Sequence, residues 1–142
     1  MNPILFEATV DVAGGLIIFS CLAHFTNDPK DRLIDSEFYE KFGQDIPVGG
    51  HFEMEVIIPA TKPEGTHIHI NPHTGRQFLC WTSRLATEAD AWKIFLTWSV
   101  GTAYTLVSGK DFLPLAGRPT NEFLAFMDHD YRIKLSRTNK II

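Results

Sequence analysis

The sequence predicts an α+β fold, in which an antiparallel sheet begins with an N-terminal β-hairpin and carries two or three helices on one face. Three observations predict it. Apolar and polar residues alternate with the period of a strand near the N-terminus and again over residues 52–58. A pair of glycines stands where the first strand must turn back. Two segments, 29–42 and 87–100, carry helix-capping residues at their starts.

The first predicted element is a hairpin. Residues 4–12 alternate, with apolar side chains at the even positions that share one face of a strand. Gly14 and Gly15 follow as a two-residue turn, and a second apolar strand comes next. A register that places Val10 opposite Phe19 pairs apolar residues along one face. A slip of one residue would move the apolar side chains of one strand to the other face, so the pattern favours this register.

A helix is predicted over residues 29–42. Asn27 or Asp28 is a suitable N-cap, and the proline that follows is well tolerated in a first helical turn. Apolar residues recur every four positions from Ile34 to Phe42 and form a single stripe. This helix is therefore expected to cover one face of the sheet.

Three more strands are predicted between residues 52 and 82. Residues 52–58 alternate, residues 66–70 alternate polar residues with isoleucine, and residues 77–82 are apolar and aromatic. Turn residues such as proline, glycine and asparagine separate these segments. The pattern indicates a meander in which the strand at 66–70 pairs back on the strand at 52–58.

Residues 87–100 are predicted as a helix that ends at the following glycine. Thr87 and Asp90 have the spacing of a capping box, in which each side chain bonds to the other residue's backbone N–H. The apolar residues from Trp92 to Trp98 also alternate in the manner of a strand. A strand therefore remains the second interpretation of this segment.

The rest of the chain predicts a strand at 103–107, a loop to residue 119, a short helix over 120–127 and a last strand at 131–135. No repeat, low-complexity segment or linker divides the sequence. We therefore expect residues 1–142 to form a single α+β domain.

Composition and charge exclude several classes of protein. The chain has 142 residues, of which 44% are hydrophobic and 21% charged, as is typical of a globular protein. Its formal net charge of −4 opposes nucleic-acid binding. The longest apolar stretch, residues 13–23, is too short to cross a bilayer, and no basic residue precedes it as in a signal peptide. We expect a cytoplasmic protein with neither a membrane segment nor a nucleic-acid partner.

A histidine-rich strand suggests a candidate metal site. His67 and His69 are two residues apart on a predicted strand, so both point to one face. If this strand pairs with the preceding one, Glu55 lies roughly opposite His69, with His73 or His51 as a further ligand. Such a set suits zinc or non-haem iron and predicts a metal-dependent enzyme or metal-binding protein. The simpler interpretation is that the histidines face solvent and that Glu55 and His69 form a cross-strand pair.

The aromatic content favours a protein-binding function over this metal-dependent alternative. The chain has 11 Phe, 3 Trp and 3 Tyr. On a helix, Trp92 and Trp98 span a face too broad to be buried on one side, and aromatic residues are enriched in binding hot spots. With no catalytic signature, the sequence predicts a small cytosolic module such as an inhibitor, an immunity-type protein or an adaptor, with no cofactor. The negative charge favours a basic partner.

Overall fold

The structure, a computed structural model, describes most of the chain. The residues described are 2–12, 15–41, 50–59, 67–80, 85–110, 121–122, 124–125 and 131–139. No helix in these ranges combines the length and the apolar character that a membrane-spanning helix needs.

Six antiparallel strands form one sheet. The strands are β1 (Ile4–Val12), β2 (Gly15–Thr26), β3 (His51–Ile58), β4 (Ile68–Ile70), β5 (Gln77–Leu79) and β6 (Tyr131–Asn139). Their order across the sheet is β4-β5-β3-β2-β1-β6. The helices are α1 (Ser36–Lys41) and α2 (Glu88–Ser108), and one turn of 3-10 helix covers Pro29–Asp31. The predicted α+β class, with an antiparallel sheet started by an N-terminal hairpin, is confirmed.

The hairpin between β1 and β2 has a register two residues away from the predicted one. Val12 lies opposite Gly15, and Val10 lies opposite Ile17 instead of Phe19. Only residues 13 and 14, outside the described ranges, connect the two strands. The apolar side chains still share one face, because a shift of two residues preserves the alternation of faces.

Helix α2 covers the apolar face of the hairpin. Trp92 stacks on Phe6 of β1 with the ring centroids 4.1 Å apart and the planes at 10°. Trp98 meets Phe19 of β2 edge to face, with the centroids 5.2 Å apart. The predicted capping box is present: the Thr87 side chain accepts the Asp90 N–H, and Asp90 accepts the Thr87 N–H. The helical interpretation of this segment is therefore confirmed.

Helix α2 is longer than predicted, and the predicted strand at 103–107 is wrong because those residues form its last turns. The helix runs through Gly101, where a glycine costs about 1 kcal/mol relative to alanine. Residues 98–104 are all buried, so packing offsets that cost. The helix ends instead at Gly109, which adopts the left-handed conformation at φ 73° and donates its N–H to the Thr105 carbonyl.

Residues 32–41, here called the α1 segment because they contain α1, lie on the opposite face of the sheet from α2. There, the ring of Phe38 meets the ring of His69 on β4, with centroids 5.3 Å apart. The two helices are thus divided between the two faces, whereas a single covered face was expected. The predicted helix over 29–42 is interrupted, because the N–H groups of Leu33 and Ile34 bond to the Glu53 side chain instead of to helical carbonyls.

Strand β5, rather than β4, pairs with β3. Phe78 of β5 lies opposite Glu55 on one side and opposite His69 of β4 on the other. The predicted direct pairing of the strand at 66–70 with the strand at 52–58 is therefore wrong. The turn between β4 and β5 is closed by backbone hydrogen bonds between Asn71 and Arg76 and from the Gly75 N–H to the Asn71 carbonyl, which favours this local hairpin.

The predicted C-terminal strand is confirmed and extends to residue 139 as β6, which pairs with β1 on the side away from β2. Residues 121–122 and 124–125 are helical, in agreement with the predicted short helix over 120–127. The remaining residues of that helix, and most of the predicted loop at 108–119, lie outside the described ranges.

Candidate functional site

A row of ionisable side chains lies buried beneath the α1 segment. His51, Glu53 and Glu55 occupy alternate positions of β3, so all three side chains project to the face away from α2. All three residues are buried. Buried ionisable groups need ion pairs or hydrogen bonds. These three residues are therefore expected to belong to a polar network.

Glu53 is the centre of that network. Its carboxylate accepts hydrogen bonds from the N–H groups of Leu33 (2.7 Å) and Ile34 (3.0 Å), from the Thr26 hydroxyl (3.2 Å) and from the Tyr39 hydroxyl (2.8 Å). Four donors match the acceptor capacity of one carboxylate. Glu53 therefore fixes residues 33–34, at the start of the α1 segment, against the sheet.

The hydroxyl of Tyr39 extends the network to His51. It donates to Glu53 and lies 2.9 Å from Nε2 of His51, so it accepts a hydrogen bond when that nitrogen carries the proton. Burial raises the pKa of Tyr39, and the nearby charge of Glu53 raises it further. The hydroxyl therefore stays protonated and serves as a donor.

Glu55 holds Arg76, the residue directly before β5. The guanidinium donates to both carboxylate oxygens, from Nε at 2.7 Å and from Nη2 at 2.6 Å. Nε2 of His24 on β2 lies 2.9 Å from the same carboxylate. Burial alone would raise the pKa of Glu55, but the hydrogen bonds and charges of Arg76 and His24 outweigh it and lower the pKa to about 2. The same pairing raises the pKa of Arg76.

Acid is expected to destabilise the protein through Glu55. The pKa is about 2 in the folded state against an ordinary value of 4.5, so the unfolded state binds a proton first as the pH falls. This contribution to stability is complete above the ordinary pKa and disappears as the pH falls towards the folded-state value. Urea unfolding across that range should show a smaller loss of stability for Glu55→Gln than for the unsubstituted chain.

Equal loss of stability in the two proteins would contradict this prediction. The matched control is Glu37→Gln, because Glu37 is an exposed glutamate on α1. That variant is expected to retain the full acid response of the unsubstituted chain.

A side-chain hydrogen bond connects the α1 segment to β4. Nε2 of His69 lies 2.6 Å from Oδ1 of Asp35. Burial opposes ionisation of Asp35, but the hydrogen bond and charge of His69 outweigh it and lower the pKa of the carboxyl group. Asp35 is thereby fixed at the mouth of a cleft.

That cleft lies between the α1 segment and the β4–β5 turn and has a volume of about 360 Å³. One wall is formed by residues 32–36. The other wall is formed by Asn71, His73, Thr74 and Arg76. Most of its lining residues are polar or charged. They include two arginines, Arg32 on one wall and Arg76 on the other.

The residues predicted to bind a metal are not brought together. His67 precedes β4 with a left-handed backbone at φ 56°. His69 is paired with Asp35, and Glu55 is paired with Arg76 and His24. Phe78 stands between Glu55 and His69 in the sheet.

The two further histidines also lie apart. His51 is buried against Tyr39, and His73 is exposed at the β4–β5 turn. Within the described ranges, no group of three histidine, cysteine or acidic residues is placed to hold a metal ion.

The two tryptophans predicted to bind a partner lie against the sheet. Trp98 is only 3% exposed, and Trp92 is half-buried on Phe6. Their broad angular separation on α2 is explained by the aromatic core, because Phe6, Phe19 and Phe95 surround them. In this structure the pair offers no continuous aromatic surface.

No family model, no curated protein and no solved structure matches this chain. Function must therefore be inferred from the geometry of the chain itself. Glu53, Arg76 and Asp35 were not identified from the sequence as site residues. The alternation of His51, Glu53 and Glu55 along one strand was the available signal, since three ionisable residues on one face form a cluster wherever that face is covered.

A second feature that the sequence pattern did not predict is an unpaired edge on β2. Strand β2 pairs with β1 along Gly15–Ala23, but with β3 only from Ser20 onwards. Among the described residues, no strand pairs with residues 15–19 on the side away from β1. Strand β3 ends at Ile58, and the next residue, Pro59, has no N–H to continue the ladder. Within the described ranges, the first five residues of β2 thus form a sheet edge.

Proposed function

We propose that this chain is a cytosolic protein-binding module that takes up an extended segment of a partner protein at the open edge of β2. The observation that carries the proposal is the five-residue stretch from Gly15 to Phe19, which has a strand neighbour on one side only in the described structure. Every second residue of such an edge directs its N–H and C=O away from the existing neighbour. A partner strand satisfies those groups by adding to the sheet.

The side chains beside this edge favour apolar contacts. Leu16 is 67% exposed and Ile18 is 53% exposed. The two residues are two positions apart on β2, so their side chains share one face. A long exposed apolar edge is a liability in a protein that does not use it, because it invites pairing with other chains. A partner strand with apolar residues at alternate positions fits this stripe.

The charge of the chain supports a basic partner. The formal net charge is −4, which speeds the approach of a positively charged protein. Asp11 lies directly opposite Leu16, and Glu7 projects to the same face of β1. On the far side of β1, the backbone of Arg132 is the register partner of Asp11. Steering depends on the net charge of the chain, and the apolar stripe of Leu16 and Ile18 provides the contact.

The experiment is selection of binding peptides from a random library displayed on phage, with the full chain as bait. Selected peptides are expected to alternate apolar residues and to carry lysine or arginine. The double variant Leu16→Lys and Ile18→Lys should lose them, since charged residues on an edge strand prevent strand addition. The matched control is Leu106→Lys with Val107→Lys, because these residues of α2 are 52% and 53% exposed. The control should bind the peptides as the unsubstituted chain does.

Backbone amide hydrogen exchange provides an independent readout of the same proposal. A bound strand should protect alternate amides within residues 15–19, since their N–H groups become hydrogen-bonded. Peptides that bind the edge variant and the unsubstituted chain equally would contradict the proposal. So would protection confined to other strands, or a library that yields no binder.

A further inference from the structure

The cleft between the α1 segment and the β4–β5 turn has a rigid frame. Glu53 holds the backbone N–H groups of Leu33 and Ile34 on one wall. The side-chain amide of Asn71 donates to the Leu33 carbonyl, at 2.8 Å, and so ties the two walls together. The same Asn71 side chain accepts the N–H of His73, at 2.9 Å. Because side chains fix both walls, the cleft is organised before any ligand binds.

Two arginines, one on each wall, line this cleft. Arg76 is fixed by the bidentate pair with Glu55, which engages Nε and Nη2. A guanidinium group has five N–H donors, so Arg76 retains donors for a ligand, those of Nη1 above all. Arg32 lies over the Tyr39 ring, 5.1 Å from its centroid. Within the described ranges, no carboxylate lies at ion-pair distance from Arg32.

Three acidic residues lie in or beneath the cleft. Glu53 and Glu55 lie on the sheet beneath and are held by their own donors. Asp35 lines the cleft: its Oδ1 is bound to His69, and its Oδ2 is buried with no hydrogen-bond partner in the described part of the chain. Arg32 and Arg76 balance the charges of Asp35 and Glu55, so the cleft carries no excess of negative charge although the whole chain is acidic. The exposed His73 adds a further nitrogen at the rim.

We propose that this cleft binds the phosphate group of a small molecule. Guanidinium groups recognise phosphate through charge-assisted hydrogen bonds, and here the lining of the cleft includes one arginine from each wall. The hydroxyl groups of Ser36 and Thr74 and the imidazole of His73 also line the cleft. Donors from several directions suit a tetrahedral anion better than a planar carboxylate. A volume of about 360 Å³ lies at the lower end of the range for small-molecule sites.

The test is titration of the full chain with inorganic phosphate at constant ionic strength, followed by NMR of the backbone amides. Saturable shifts at Ser36, His73 and Thr74 are expected. Arg32→Gln should weaken binding at least about tenfold, because a hydrogen bond between charged groups is lost. Lys30→Gln is the matched control, since Lys30 is exposed, lies two residues away and loses the same charge without lining the cleft. Its affinity should equal that of the unsubstituted chain.

Arg32→Gln removes the contact between Arg32 and the Tyr39 ring and so can disturb the fold. A second variant tests the proposal in that case. His73 is exposed at a turn, so His73→Gln should preserve the fold and weaken phosphate binding several-fold. Non-saturable shifts, or equal affinity in Arg32→Gln and Lys30→Gln, would overturn the proposal. Acetate that binds as tightly as phosphate would overturn the assignment to phosphate. None of these outcomes depends on strand addition at β2.

Discussion

Glu53→Ala is expected to lower the free energy of unfolding by about 3–5 kcal/mol, a large part of the stability of a typical domain. The substitution removes the acceptor of four hydrogen bonds and leaves two backbone N–H groups, those of Leu33 and Ile34, without it. A buried donor that loses its acceptor costs about 1–3 kcal/mol. Urea denaturation followed by tryptophan fluorescence measures the change.

Two further variants separate the role of Glu53 from a general sensitivity of this region. Thr26→Val removes only one of the four donors and should cost about 1 kcal/mol. Glu37→Ala changes an exposed glutamate on α1 and should stay within about 0.5 kcal/mol of the unsubstituted chain. A loss for Glu53→Ala no larger than that for Thr26→Val would show that the network around Glu53 contributes little.

Glu53 also connects the stability of the fold to the proposed phosphate site. The carboxylate fixes residues 33–34, which form part of one wall of the cleft. Those residues are not helical, because a side chain on β3 accepts hydrogen bonds from their N–H groups. The four-residue spacing from Ile34 to Phe42 was compatible with a helix, and propensity alone could not reveal an acceptor some 20 positions along the chain.

The hairpin shows what an alternating sequence pattern can predict and what it cannot. Alternation fixed correctly which residues of β1 and β2 face the core, because a shift of one residue would expose them. It did not fix the register, since any shift by two residues keeps the same faces. The register depended on whether Gly15 belonged to the turn, as predicted, or to β2. Gly15 instead pairs with Val12.

The candidate site was harder to predict for a related reason. Alternation placed Glu53 and Glu55 on the polar face of β3 correctly, but an alternating strand does not show whether that face meets solvent or another segment. The partners come from distant parts of the chain: Tyr39 is 14 positions from Glu53, and Arg76 is 21 positions from Glu55. The expected cross-strand pair of Glu55 and His69 failed because β5 was inserted between their strands.

Trp98→Ala is expected to destabilise the fold by about 3–5 kcal/mol and to leave peptide binding at β2 unchanged. Trp98 is almost fully buried and packs edge to face on Phe19, so its removal creates a cavity beneath the hairpin. Urea denaturation measures the first effect, and titration with a selected peptide under native conditions measures the second.

The opposite pattern is expected for Leu16→Lys with Ile18→Lys, because both side chains are exposed and lose no core contacts. Comparison of these two variants distinguishes a residue that stabilises the core from residues that contact a partner. Loss of peptide binding in Trp98→Ala, at unchanged stability, would instead place the partner on the tryptophan face of α2. The two proteins together therefore decide which face of the molecule meets a partner: the aromatic helix indicated by composition, or the strand edge indicated by the pairing of the sheet.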